Sequence, residues 1–274
     1  MCDEGFLESS DLREGYFKPL GQPWRLVRYA NVDGLAIFEG CIILGETAVI
    51  EASSPKIAAQ ARDNPILLQD ASAQVLGVAR KGKQYLWPGR TVAYVLSSAF
   101  PDPARIHQAI AHWHAKTTIR FVARTAEQDY VEFREITSGC ASGVGRLGGR
   151  QEIVLRTECT TGNIIHELGH AIGLWHEQSR ADREDFVKVD FDQIAAGKSN
   201  NFDQHIIDGT DLGDYDFGSI MHYPLTAFGV NGAQTIFPIV PVPAGITIGQ
   251  RVSLSLGDII AVEKLYAGEA VPGG

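Results

Sequence analysis

Residues 166–176 read HELGHAIGLWH. His166 and His170 are four apart, so on a helix their imidazoles leave one face, one turn above the other. Two nitrogens placed this way can reach one Zn²⁺ at about 2.0–2.1 Å. Glu167 sits one step round the helix, positioned for a water on the ion rather than for the ion itself. Gly173 permits the left-handed conformation that ends a helix and turns the chain back. His176 can then approach from outside the helix as a third ligand. Three protein nitrogens leave one position open, the arrangement of a catalytic zinc. Such an ion lowers the pKa of its water towards about 7, and Glu167 would take the proton as general base. The chemistry expected is metal-assisted hydrolysis of an amide.

HExxH alone is a weak signal, but the extended H-E-x-x-H-x-x-G-x-x-H is a metzincin signature. Histidines merely packed on an apolar helix do not require that spacing. Metzincins also carry a methionine turn beneath the metal. Besides residue 1 the only methionine is Met221, in GSIMHYPLTAFG. Tyr223, two residues on, would place a phenol near the metal.

The elements around these residues follow from periodicity. In residues 90–97, Val92, Tyr94 and Leu96 alternate with their neighbours, a strand pattern. In residues 101–117, Ile106, Ala109, Ile110 and Trp113 form a helical stripe, with Asp102 as expected N-cap and Pro103 in the first turn. His107, His112 and His114 on that helix are expected at its surface or boundary. His112 and His114 are two apart and diverge, which argues against a metal pair. Residues 119–125, 129–136 and 151–156 read as further strands, residues 163–176 as the helix of the site, and residues 177–248 as a long loop-rich stretch. A capping-box-like start at Ser255 and Asp258 opens a last helix with Ile259, Val262 and Tyr266 on its apolar stripe. Residues 1–78 carry Pro and Gly at short intervals, with only a weak helical pattern over 54–62.

The chain has 274 residues and a formal net charge of −9, and neither the first 78 residues nor the remainder has a basic excess. Nucleic acid is therefore not an expected partner. No apolar run approaches the roughly 20 residues of a membrane span. The start, MCDEGFLESS, lacks the form of a signal peptide. Of the four cysteines, Cys140 and Cys159 flank a Gly-rich stretch that reads as a hairpin. They would be bridged in an oxidising compartment and reduced in a cytosolic one.

From Tyr85 onward the sequence resembles the astacin family of zinc endopeptidases. After its third histidine that family carries Glu and then Arg-x-Asp-Arg, matched by Glu177, Arg180, Asp182 and Arg183. Its methionine turn, S-x-M-H-Y, is matched by Ser219, Met221, His222 and Tyr223. YLWPG (residues 85–89) resembles the start of the catalytic domain, GRLGGRQEIVL (145–155) its substrate-side edge strand, and residues 248–266 its C-terminal end. The resemblance covers about residues 79–267. It implies an α+β fold of two subdomains, with a twisted sheet and helices above a cleft and an irregular lower part with a C-terminal helix. It implies one catalytic Zn²⁺ on His166, His170 and His176, with Glu167 as base and acid. Tyr223 would be a further ligand at rest that swings away to stabilise the tetrahedral intermediate. Met221 and Gly173 would support the site, Glu177 would help anchor the new N-terminus, and Cys140 would bridge to Cys159. A second family disulfide has no counterpart here, because residues 265–268 read LYAG.

Astacin pro-segments often carry F-x-G-D, whose aspartate occupies the zinc. Here residues 38–41 read Phe-Glu-Gly-Cys. A thiolate binds zinc at about 2.3 Å. Residues 1–78 are thus expected to be a mostly irregular inhibitory pro-segment, and residues 79–274 the catalytic domain. Cys41 would block the metal as a cysteine switch. The alternatives for Cys41 are a buried apolar role or a bridge to Cys2. The expectation is a secreted, monomeric, latent zinc endopeptidase acting on proteins or peptides. It would be activated by another protease or by itself between about residues 70 and 84. A catalytically silent metal module that only holds peptides is the alternative.

Overall fold

The computed structural model describes residues 5–18, 24–63, 79–205 and 208–270. The first region of the chain, the described residues before residue 79, is more regular than expected. Four strands, β1 (Leu12–Phe17), β2 (Arg25–Val32), β3 (Leu35–Phe38) and β4 (Ile42–Glu46), form an antiparallel meander, followed by helix α1 (Thr47–Asp63). The expectation of a mostly irregular segment is corrected here. Asp33 and Gly34 both take positive φ in the two-residue turn between β2 and β3, the geometry that matches strand twist in a hairpin. Leu35, Ala36 and Ile37 are all buried, so β3 is covered on both faces and shows no alternation in sequence. Phe38 pairs with Ile42, making Glu39, Gly40 and Cys41 a three-residue hairpin tip.

A two-residue strand β5 (Ala79–Arg80) then leads into the second region. It contains β6 (Thr91–Leu96), α2 (Ala104–Lys116), β7 (Arg120–Ala123), β8 (Tyr130–Glu135), β9 (Cys140–Ser142), β10 (Arg150–Leu155) and α3 (Thr161–Ile172). Shorter strands β11 (Val187–Val189), β12 (Gly209–Thr210) and β13 (Ile236–Pro238) precede α4 (Leu256–Leu265). One nine-stranded sheet runs β1-β2-β3-β4-β9-β10-β8-β6-β7. β10, β8, β6 and β7 are parallel, and β9 is antiparallel to β10. The first region joins through β4, which runs parallel to β9 at the Ile42–Ser142 pair.

Two expectations need correction. Residues 145–155 do not form the edge strand. They turn through glycines and enter β10, one place further in, while β9 presents its free edge to β4. Asp102 does not cap α2. It sits at φ 44, and Pro103, which disfavours a helical conformation in the residue before it, takes the cap position. The expected stripe of α2 is buried, with His107 exposed and His112 and His114 half-buried. Both half-buried imidazoles accept backbone N–H groups, from Leu254 and Phe121 respectively.

Helix α3 is fixed from several sides. Thr160 and Asn163 close a capping box at its start, one residue after the Cys140–Cys159 bridge. The Trp113 indole donates to Ile165 O, the Trp87 indole to Ala171 O, and the Tyr266 hydroxyl to Ile172 O. These partners belong to one apolar cluster with Val92, Ile153 and Val262. A second cluster, with Phe202, Tyr215, Phe228 and Ile236, is the core of the loop-rich part. The chain passes from one cluster to the other between Met221 and Tyr223. The Ser255–Asp258 capping box that opens α4 also holds that turn, since Asp258 accepts from Ser219 Oγ and Ile220 N.

Candidate active site

The three histidines converge as their spacing requires. α3 carries His166 and His170, and Gly173 ends it in the left-handed region at φ 116. His176 returns to face them. Each Nδ1 is turned outward at 2.8 Å from an oxygen: His166 to Ile220 O, His170 to Leu174 O, His176 to Glu39 Oε2. Carbonyl and carboxylate oxygens only accept, so each Nδ1 carries the proton and each Nε2 keeps its lone pair. Burial lowers all three imidazole pKa values, that of His170 to about 3, so the rings stay neutral as ligands must.

Cys41 Sγ completes the cluster. It lies 3.6, 3.3 and 3.1 Å from Nε2 of His166, His170 and His176, and the last two nitrogens are 3.2 Å apart. A tetrahedral zinc with one sulfur and three nitrogens has ligand–ligand edges of about 3.3–3.6 Å at ordinary bond lengths. The four atoms therefore fit such an ion. Among the described residues this is the one group of three or more His, Cys, Asp or Glu side chains so arranged. Burial pushes the Cys41 thiol up, and the nearby Glu167 adds to it. A bound cation reverses that balance, because zinc deprotonates a coordinating thiol. Cys41 is a free thiol and buried, while Cys140 and Cys159 are bridged. Cys2 lies outside the described residues.

Glu167 is buried beside the cluster, and its Oε2 has no hydrogen-bond partner among the described residues. Burial pushes its carboxyl up against the opposing charge of Arg251. Such an oxygen suits a group that exchanges a proton with something entering the site. The Tyr223 ring lies 4.5 Å from that of His176, and its hydroxyl donates to Glu39 O at 2.7 Å. In this form, then, Cys41 rather than Tyr223 completes the four-atom set. Met221 sits under α3, where a Cβ on Gly169 would come within 2.7 Å of its sulfur. A larger residue there would have to displace the methionine side chain.

Glu177 accepts from Asp216 N and from Arg180, and burial raises it to about 8. Arg180 also pairs with Asp182, and Arg183 donates to Gln178 O and Phe202 O. These charged residues brace the loop that returns His176.

The sequence reading missed a second set. Glu39 Oε1 is 2.8 Å from His205 Nε2, and His205 Nδ1 is 3.0 Å from Asp208 Oδ1. Asp208 in turn accepts from Arg25 of β2. Both His205 nitrogens face carboxylates and both donate, so the ring is an imidazolium. Burial alone would lower its pKa, but Glu39 and Asp208 outweigh this and hold it at about 10. Trp175 stacks on the ring at 3.8 Å. A lone histidine in FDQHIIDG carries no local signal of such a role.

Residues 79–267 match the family model for astacin, a family of peptidases. Zinc metalloproteinase nas-6 of Caenorhabditis elegans is 40% identical over 211 residues, 74% of this chain and 60% of that protein. Zinc metalloproteinase nas-14 of the same organism is 35% identical over 277 residues, 96% of this chain and 53% of that protein. The chain thus spans about half the length of these curated relatives. Among solved structures, the medaka (Oryzias latipes) high choriolytic enzyme 1, a hatching enzyme zinc-protease, superposes with a TM-score of 0.59 at 37% identity. That match covers 69% of this chain and 94% of the enzyme. With the α+β fold and the histidine cluster in place, the match over residues 79–267 makes this chain a member of the astacin family of peptidases.

Proposed function

We propose that the chain is a zinc endopeptidase in latent form, with residues 1–78 as its inhibitory pro-segment and residues 79–274 as the catalytic domain. One observation carries the reading: Cys41, at the tip of the β3–β4 hairpin, lies within 3.6 Å of all three histidine Nε2 atoms. His166, His170 and His176 would hold one catalytic zinc, and Cys41 would hold the fourth position until the pro-segment leaves. When bound, the ion supplies Lewis acidity and lowers the pKa of water.

The remaining steps belong to the protein. Glu167 takes a proton from the attacking water and returns it to the leaving amine, a role suited to a carboxyl raised by burial. Tyr223 loses its acceptor, Glu39 O, when the hairpin withdraws, and its hydroxyl can then donate to the developing oxyanion. The β9 edge offers peptide-facing N–H groups at Cys140 and Ser142, which now donate to Gly5 O and Cys41 O. Met221 and Gly169 keep α3 and the turn below it in register, Gly173 returns His176, and Glu177 helps seat the new N-terminus.

Activation would follow cleavage between about residues 70 and 84, a stretch whose first part, through residue 78, lies outside the described residues. The cut would come from another protease or from the enzyme itself. The Cys140–Cys159 bridge supports an oxidising, extracellular setting. No described helix is long and apolar enough to cross a membrane. Substrates would be proteins or peptides, and the chain would act as a monomer.

Casein hydrolysis by the full-length chain, before and after a cut in residues 70–84, tests the reading. Activity that appears only after the cut and disappears with a zinc chelator is the expected result. A cut, zinc-loaded chain with no hydrolysis would point instead to a silent peptide-holding module.

A further inference from the structure

The cleft holds a second piece of the N-terminal region that Cys41 does not explain. Gly5 O accepts from Cys140 N at 2.7 Å, and Leu7 N donates to Gly40 O at 2.6 Å. Residues 5–7 are thus held between the β9 edge and the hairpin tip. Cys140 and Ser142 are two apart on one strand, so their N–H groups point the same way. The first is taken by Gly5 and the second by Cys41.

From this backbone the Phe6 side chain reaches the opposite wall. Its ring stacks on Phe228 with centroids 4.8 Å apart and planes at 14°, and meets the Tyr223 ring edge-on at 5.0 Å. Both distances lie within the favourable range for aromatic pairs. Phe6 packs against the same apolar cluster as Leu225 and Ile248. Gly40 closes over it, since a Cβ there would lie 2.8 Å from Phe228 Cζ and 3.1 Å from Phe6 Cδ1. Main chain on a sheet edge with a side chain in a pocket is how extended peptides are recognised.

We infer that the pocket walled by Phe228 and Tyr223 is a side-chain subsite for large apolar, above all aromatic, residues of a peptide, and that Phe6 keeps it shut in the latent chain. This rests on the peptidase reading above. It assigns residues 5–7 a blocking role independent of the metal: Phe6 stands where a substrate side chain enters, as Cys41 stands where the reaction occurs.

The test takes the full-length, zinc-loaded chain with Phe6→Ala. It is expected to bind N-acetyl-phenylalanine amide saturably by saturation-transfer NMR, at least tenfold more tightly than N-acetyl-alanine amide, while the parent binds neither. Phe6→Trp, which refills the pocket, is expected to exclude the probe. Equal affinity for the two amides, or no binding to a folded Phe6→Ala chain, overturns the subsite. If Phe6→Ala does not fold, cleavage of a mixed peptide library by the processed chain decides. At least fivefold enrichment of aromatic residues at one position beside the cut supports the subsite, and a flat profile overturns it. Amide binding needs no turnover, so an inactive enzyme would sink the peptidase reading while leaving this result visible.

Discussion

Glu39 Oε2 lies 2.8 Å from Nδ1 of His176, so the hairpin that brings Cys41 to the three imidazoles also supplies the outer partner of one of them. A ligand histidine depends on such a partner for its tautomer and orientation, and losing one typically costs about 10–100-fold in metal affinity. On the proposed reading the blocking segment would therefore also be part of the metal site, and its removal would take away a sulfur and a carboxylate together.

That coupling gives a prediction about zinc retention. The full-length chain should lose zinc to a competing chelator at least tenfold more slowly than the processed chain. Glu39→Gln should close part of that gap in the full-length chain, because an amide does not supply the negative charge that His176 and His205 both face. Equal rates of zinc loss from the parent and Glu39→Gln chains would mean the carboxylate does nothing for the metal.

Cys41→Ala removes the thiol but leaves residues 5–7 and Glu39 in place. Basal casein hydrolysis should rise, or self-cleavage should quicken, yet remain below that of the processed chain because Phe6 still occupies the cleft. At the zinc absorption edge, the parent should show one sulfur at about 2.3 Å beside three nitrogens, and Cys41→Ala none. Unchanged latency in the variant would return Cys41 to an ordinary buried role.

Two substitutions should separate the catalytic groups from the latch. Glu167→Gln in the processed chain should lower turnover by about 10²–10⁴-fold, the usual value of a positioned acid–base group. Tyr223→Phe should lower it by about 10²–10³-fold if the hydroxyl serves the oxyanion. In the full-length chain Tyr223→Phe has a second effect. The buried Glu39 carbonyl loses its donor, which should reduce stability by about 1–3 kcal/mol in chemical denaturation. Loss of stability without loss of turnover would confine Tyr223 to the latch.

The convergence of the three imidazoles was legible because its geometry is local: four- and six-residue spacings on one helix and its return loop bring them together. The approach of Cys41 to them was suggested by its place in Phe-Glu-Gly-Cys, and its sulfur lies within 3.6 Å of all three. The sheet that carries it was not read, although Asp33-Gly34 is a hairpin signal, because burial on both faces erases the alternation of β3. His205 was beyond reach for another reason. Its partner Glu39 is 166 residues away in sequence, and only the folded hairpin brings them together. Phe6 likewise stood in a polar, acidic leader with no period to mark it.

The Glu39–His205–Asp208 chain should make the full-length fold sensitive to alkali. His205 titrates at about 10 when folded, against an ordinary 6.5, so its contribution is complete below 6.5 and is lost as pH rises through 10. Between those values the folded state binds more protons than the unfolded, so stability falls as pH rises. Asp208, held at about 2 by His205 and Arg25 despite its burial, acts at the other end. Its contribution is complete above 3.8 and is lost as pH falls through 2. Glu177, raised to about 8, slopes the same way as His205 between 4.5 and 8, so the parent curve alone does not isolate the imidazole. The measure is the difference in unfolding free energy between the full-length parent and His205→Gln. It should be largest near pH 6 and shrink steadily towards pH 10. A difference that stays constant over that range would mean that His205 is not the charged link between hairpin and catalytic domain.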